Sequence, residues 1–355
     1  MKAVRKIIFN ANNLRKMKAL FLTAIGETAI REIDVPVPGP DEVLLRIGMV
    51  GFCGGDLNGF KGLFELQEYP NVLGHEVGGT VETTGANVPQ HIQPGMNATV
   101  YPYLNCGKCI SCRKGRINAC QDNKTMGVRR PGAMTRYIAI HWKDLHFSSK
   151  LSLRELALAE PLTVGFHAVN RGRVTKDDIV AVIGCGIVGM GAVAGAVNLG
   201  AEVIAIDIDG SKKEIVEKIG AKHFIDTSQH NLHDALSAIT NGDGPDVIIE
   251  AVGNHITYRA AVDEVAYTGR VVCIGYAKAP VEFNTGLFVR KEIEILGSRN
   301  CTNEFPTVIA YLEGGNFPVD DVISKTVSLD EAGQALADWA KNAKGITKIM
   351  VDLEK

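Results

Sequence analysis

From Asp178 onward the sequence alternates short apolar, β-branched runs with stretches at helical period. The runs are DIVAVIG, AEVIAID, HFID, DVIIEAVG, RVVCIGY and EIEILGS, and between them lie segments such as GSKKEIVEKIG and NLHDALSAIT. Strands apolar on both faces, separated by helices long enough to cross back over them, build a parallel sheet with helices on either side. This half of the chain is therefore expected to be a doubly wound α/β domain. The uncharged stretch from Ile179 to Ala201 is long enough to span a bilayer. Its six glycines (Gly184, Gly186, Gly189, Gly191, Gly195, Gly200) and the strand-like start IVAVIG argue instead for a buried strand, a turn and a helix.

At that turn stands Gly184-Cys185-Gly186-Ile187-Val188-Gly189. After a strand and before a helix, the first glycine makes the tight turn, the second lets backbone approach a pyrophosphate, and the third packs helix on strand. The amides around Ile187 and Val188 would then face the phosphates at the helix N-terminus. Asp207 ends the next strand, placed to bond both ribose hydroxyls of an adenosine half. A carboxylate there repels a 2′-phosphate, which favours NAD over NADP. Lys212 and Lys213 are close enough in sequence to reach such a phosphate, or are ordinary solvated helix charges.

The first part, Lys18 to about Phe147, is β-rich and punctuated by Gly and Pro: MKALFL, Ala29 to Val35, the turn PVPGP, EVLLRIGMV, GHEVGGTVETTG, MNATVYPYL and MTRYIAIH. Between Leu151 and Asn170 the spacing turns helical, and Pro161 is expected to break that helix into a connector. The chain ends with a helix (FPTVIAYLEGG), a short segment (VISKTVSL), a second helix (EAGQALADWAKNA) and a strand (ITKIMVDL).

Four of the eight cysteines, Cys106, Cys109, Cys112 and Cys120, form C-x2-C-x2-C-x7-C. Four thiolates so close can close a tetrahedral zinc shell with no open position, a structural site. The remaining cysteines are scattered, unlike a secreted disulfide scaffold. Cys53 in GFCGGD, His75 and Glu76 in LGHEVGG, and Glu160 in AEPL each lie beside glycine or proline. Together they are the mixed sulfur, nitrogen and oxygen set of an open catalytic zinc. With 38 basic and 40 acidic residues, net −2, no global field recruits nucleic acid or an anionic membrane.

GFCGGD, LGHEVGG, the four-cysteine lobe, AEPL, and VIGCGIVG with Asp207 occur in the order found in the zinc-dependent medium-chain alcohol dehydrogenases, which the chain resembles from Met17 onward. AEPL is similar to the sorbitol, threonine and sugar-acid branches, and LGSRNCTNEFP and YLNCGKCISCRKGRINAC most resemble polyol and aldonate dehydrogenases of the L-idonate and L-galactonate 5-dehydrogenase type.

The resemblance implies a GroES-like catalytic domain (17–165) carrying the zinc lobe, a Rossmann domain binding NAD (166–300), and a segment (301–355) returning to the catalytic domain. Residues 1–16, basic up to Lys16, form an N-terminal extension. It implies two zinc ions per chain, with Cys53 and His75 as catalytic ligands and Glu76 or Glu160 as the carboxylate. Asp56 would orient His75, and Arg299 would contact a hydroxylated substrate. The implied reaction is hydride transfer from a secondary alcohol of a polyol or sugar acid to NAD, with zinc as Lewis acid, in a cytoplasmic homo-oligomer, dimer or tetramer. A dehydrogenase of L-threonine, butanediol or a simple secondary alcohol, and a non-catalytic NAD or redox sensor, are the alternatives. One departure stands out: Gly55 replaces the Ser or Thr that usually follows the zinc cysteine by two residues, so the side-chain hydroxyl relay is missing.

Overall fold

Each of the six apolar runs after Asp178 becomes a strand of one parallel sheet in the computed structural model, which describes residues 16–355. Their order is His223–Asp226, Glu202–Asp207, Ile179–Ile183, Val247–Glu250, Arg270–Cys273 and Glu294–Gly297. The chain winds outward one way from Ile179–Ile183 and then the other way from Val247–Glu250, so the crevice at their C-terminal ends is the topological switch point. Alternate residues serve two cores: Val180, Val182, Val203 and Ile249 face one layer of helices, while Ala181, Ile183, Ile204 and Ile248 face the other. This is the Rossmann arrangement. The uncharged stretch divides into the strand Ile179–Ile183 and the helix Ile187–Asn198, and among the described residues no helix is long and apolar enough to cross a membrane.

The β-rich part, GroES-like, is built around the strand Glu42–Gly51. Its sheet runs Leu145–Phe147, Asn97–Val100, Glu76–Thr84, Glu42–Gly51, Lys348–Asp352 and Ile323–Ser328, with Tyr137–His141 pairing Glu42–Gly51 as well. The two late strands thus complete a sheet begun by the first hundred residues. The helix Phe305–Glu313 packs on both parts: Phe305 stacks on His146 and lies edge-on to Tyr101, and Ser148 Oγ donates to Glu313 Oε1 at 2.6 Å, while Phe305, Val308 and Leu312 also share a core with Leu158, Leu162 and the Rossmann sheet. Residues 1–15 of the expected extension lie outside the described residues, whereas Lys16 already opens the strand Lys16–Ala24.

Pro161 does not break its helix. Leu153–Arg171 is one 19-residue helix, started by a reciprocal cap in which Ser152 Oγ accepts from Glu155 N and Glu155 Oε2 accepts from Ser152 N. Proline forfeits the bond to the Ala157 carbonyl, at a cost of about 3 kcal/mol. Leu156, Leu158, Leu162 and Phe166 are all buried, at about 1.5–3 kcal/mol each, and outweigh it. The helix crosses the expected division at 165/166, and it sits very close to Ile187–Asn198. A Cβ on Gly165 would lie 2.2 Å from Ala192 N, and one on Gly191 would lie 2.9 Å from the Leu162 carbonyl.

Candidate functional site

Cys53 caps the short helix Gly54–Phe60, its Sγ accepting from Gly55 N at 3.2 Å while Asp56 Oδ2 accepts from Cys53 N at 2.8 Å. This capping box, with a thiol in place of a hydroxyl, fixes the direction of Sγ. His75 follows Gly74, whose φ of +94° and near contacts with Val50 and Met134 leave no room for a side chain. Glu160 projects from the buried middle of Leu153–Arg171 and accepts from the Tyr103 hydroxyl.

Cys53 and Glu160 are neighbours of the buried His75 contributed by two other segments, though among the described residues only the four lobe cysteines bring their ligand atoms within 4.8 Å of one another. Burial opposes a charge on the His75 ring, yet Cys53 beside it, with Asp56 and Glu160, outweighs burial and raises its pKa well above the ordinary value. His75 Nδ1 and Asp56 Oδ1 are buried without a protein partner. A sulfur, an imidazole nitrogen and a carboxylate oxygen in one neighbourhood are a donor set that suits a borderline-soft dication such as zinc. Asp56, expected to orient His75, is close to it but bonds the Cys53 backbone instead.

Glu76 has different partners from Glu160. Its two carboxylate oxygens accept from Lys348 Nζ at 2.7 and 2.6 Å, and the same ammonium donates to the Phe52 carbonyl at 2.8 Å. Burial raises the Glu76 carboxyl pKa, with Lys348 pulling the other way and Glu160 adding to the rise. Gly51 stands opposite Glu76 in register, and a Cβ there would fall 2.1 Å from Glu76 Oε2. Sequence reasoning missed Lys348 and Tyr103. A lysine within the apolar run ITKIMVDL was the available signal for the first; Tyr103 had none.

The four thiolates of Cys106, Cys109, Cys112 and Cys120 lie within 4.8 Å of one another, with Cys109 Sγ 3.4 Å from Cys112 Sγ and 3.9 Å from Cys120 Sγ. A zinc–sulfur distance of about 2.3 Å gives a tetrahedron with edges of about 3.8 Å, so the cluster fits a closed zinc shell. The Ser111 hydroxyl, then the backbone amides of Cys112 and Gln121, pull the Cys109 thiol down to about 5. All eight cysteines are free of disulfides.

At the switch point each glycine of the Gly184–Gly189 turn has its own constraint. Gly184 has φ +96° and its Cβ would strike Val252; a Cβ on Gly189 would lie 1.8 Å from the Gly184 carbonyl; at Gly186, the cap of Ile187–Asn198, nothing lies within 4 Å. The open position is where a phosphate can approach the first-turn amides of Ile187 and Val188. A cleft of about 350 Å³, lined by Val252, Gly253, Asn254, His255 and Ala277–Ala279, lies along the same strand ends.

Asp207 ends its strand with Oδ2 accepting from Cys185 N at 2.6 Å and Oδ1 from Asp209 N at 2.9 Å. Lys212, expected within reach of a cofactor phosphate, is buried, and its ammonium donates to Thr347 Oγ1. Arg299 is half-buried on the four-cysteine lobe, Nη1 reaching the Cys120 carbonyl at 3.4 Å.

Comparison with known proteins matches residues 39–149 to the alcohol dehydrogenase GroES-like domain and residues 188–314 to the zinc-binding dehydrogenase domain. The sorbitol dehydrogenase of Bacillus subtilis (strain 168) is 31% identical over 346 residues, 95% of this chain and 97% of that protein. The L-galactonate-5-dehydrogenase of Escherichia coli (strain K12) is 30% identical over 309 residues, 87% of this chain and 91% of that protein. The crystal structure of galactitol-1-phosphate dehydrogenase from Escherichia coli superposes with a TM-score of 0.87 at 27% identity, covering 95% of this chain and 100% of that one.

Proposed function

Because this chain belongs to the zinc-dependent medium-chain alcohol dehydrogenases, and is an alcohol oxidoreductase of that family, we propose that it oxidises a secondary alcohol of a polyol or sugar acid, with NAD as the hydride acceptor. The grouping of Cys53 and Glu160 around His75 carries this reading. When bound, zinc supplies a Lewis acid that polarises the substrate hydroxyl, and the nicotinamide accepts the hydride.

Cys53, His75 and Glu160 are the residues that would hold the catalytic ion, and the four lobe cysteines a second, structural one. The Tyr103 phenol, kept protonated by burial and the Glu160 charge, orients Glu160 as a hydrogen-bond donor. Lys348 neutralises Glu76, which favours Glu160 over Glu76 as the ligand carboxylate. The amides after Gly186 would receive the pyrophosphate, and Asp207 the ribose hydroxyls. Engagement of Lys212 by Thr347 removes the nearest buried cation from a 2′-phosphate and so supports NAD.

Arg299 offers a rigid fork of donors suited to vicinal hydroxyls or a carboxylate. With no hydroxyl on Gly55, water carries the proton from the site. Exposed Val289 and Ile295, beside and on the edge strand Glu294–Gly297, suit a homo-oligomer built through the Rossmann domain, and free cysteines suit the cytoplasm.

The test is nicotinamide absorbance over a panel of sugar acids, polyols, threonine and butanediol, with NAD and NADP in parallel. The expected result is highest kcat/KM for a polyol or aldonate with NAD. Turnover confined to threonine or butanediol, a preference for NADP, or no turnover with any substrate would overturn the reading.

A further inference from the structure

Asn118 lies in the turn Ile117–Ala119, inside the four-cysteine lobe, and is 1% exposed. Its amide nitrogen donates to the Arg299 carbonyl at 2.8 Å and to His167 Nε2 at 3.0 Å. Since a carbonyl can only accept, the Arg299 bond orients the amide. His167 Nε2 is then an acceptor and the ring proton resides on Nδ1. That proton is donated to Glu304 Oε1 at 2.8 Å. Glu304 also accepts from Asn170 Nδ2 at 3.1 Å and from Thr302 N at 2.6 Å.

One buried polar network thus ties the lobe, the helix Leu153–Arg171 and the segment 298–304. That segment reaches the metal site too: Cys301 is fully buried, with Thr163 and Glu160 as its polar neighbours. Within it Asn300 has φ +52°, a left-handed conformation that persists when surrounding contacts over-determine it.

We infer that the four-cysteine lobe acts in substrate recognition through Asn118, which sets the backbone at Arg299 and hence the reach of its guanidinium toward a hydroxylated or carboxylate-bearing substrate. Asn118 is a positioning residue, anchored by His167 and Glu304. The inference rests on the reading of Arg299 as substrate-facing. The Arg299 side chain also lies against the lobe, Nη1 reaching the Cys120 carbonyl at 3.4 Å, so the lobe sets both the backbone and the guanidinium of residue 299.

The experiment is a double-mutant cycle of Asn118→Ala and Arg299→Leu in the zinc-loaded full chain, assayed on the best polyol or aldonate of the panel and on 2-butanol. Asn118→Ala is expected to keep the wild-type zinc content and to raise KM for the polyol or aldonate at least tenfold. Its kcat should change less than threefold, and 2-butanol kinetics less than twofold, since misplacement of a binding group by about 1 Å suffices for losses of this size. In the Arg299→Leu background the same change should add less than twofold.

Equal losses on both substrates, losses additive with Arg299→Leu, or no effect of Asn118→Ala on the polyol would each overturn the positioning role. Arg299→Leu alone judges the underlying reading. If it spares the polyol, that reading and the inference fall together; if it is selective while Asn118→Ala is silent, only the inference falls. Should Asn118→Ala shed metal, Asn118→Ser, which keeps a hydroxyl donor, decides by the same cycle.

Discussion

Lys348 and Glu76 form an ion pair sealed from solvent, with Nζ 2.6 Å from one carboxylate oxygen and 2.7 Å from the other and both side chains 1% exposed. Removing one partner from such a pair leaves a buried charge uncompensated. Lys348→Met is therefore expected to destabilise the protein by about 3–5 kcal/mol. Adding Glu76→Gln should recover a substantial part of that loss. Urea denaturation of the three variants checks it, and a Lys348→Met cost below 1 kcal/mol would show that Glu76 has another partner.

The two metal sites should differ in lability. The four-thiolate lobe fits a closed shell, whereas the proposed Cys53, His75 and Glu160 site would use a mixed set with a position left open to substrate. Chelator titration should abolish turnover before the circular dichroism spectrum changes. Elemental analysis finding one zinc or fewer in active, freshly purified enzyme would count against two sites.

Gly55→Ser should be tolerated, because a Cβ there meets only Cys53 Sγ at 3.5 Å and Phe64 Cε1 at 4.0 Å, ordinary contacts. A hydroxyl at this position supplies the side-chain relay that the chain lacks. The expected change is in the pH dependence of kcat, with KM for the alcohol altered less than threefold. Loss of zinc from the variant would instead show that the capped turn does not accept a side chain.

Asp207→Ser should raise KM for NAD tenfold or more, from loss of charge-assisted ribose bonds worth about 1.5–3 kcal/mol, and should narrow discrimination against NADP. Steady-state kinetics with both cofactors measure this. An unchanged ratio of the two would mean that the carboxylate serves only Cys185 N and Asp209 N.

Glu304 predicts an acid-dependent stability. Burial pushes its pKa upward, but the hydrogen bonds from the His167 ring, Thr302 N and Asn170 prevail and hold it at about 2. A carboxyl depressed in the folded state adds stability that is complete above its unfolded value and is lost as pH falls toward its folded one. Relative to Glu304→Gln, the native protein should be more stable by on the order of 2–3 kcal/mol at pH 7, a gap that closes between about pH 4.5 and pH 2. Thermal melts of both proteins across that range supply the comparison, and a gap independent of pH would remove the ionised carboxylate from the account.

Features that depend on neighbours a few residues apart are legible in the sequence. The glycine constraints at Gly184, Gly186 and Gly189, the thiolate spacing of Cys106 to Cys120, and the strand runs from Ile179 to Gly297 are local in this sense. Turn sterics, a coordination sphere about 4 Å across and apolar periodicity are written in consecutive residues. The different surroundings of Glu76 and Glu160 arise only in the folded chain. Both are acids in apolar surroundings, and Lys348, 272 residues from Glu76, reaches it because the last strand returns beside Glu42–Gly51. Asn118 and Arg299, 181 residues apart, meet for a similar reason. Pro161 reads as a helix breaker until the buried faces of Leu153–Arg171 outweigh one lost hydrogen bond. Which distant side chains share a buried pocket is set by sheet order and layer packing, and no local pattern encodes it.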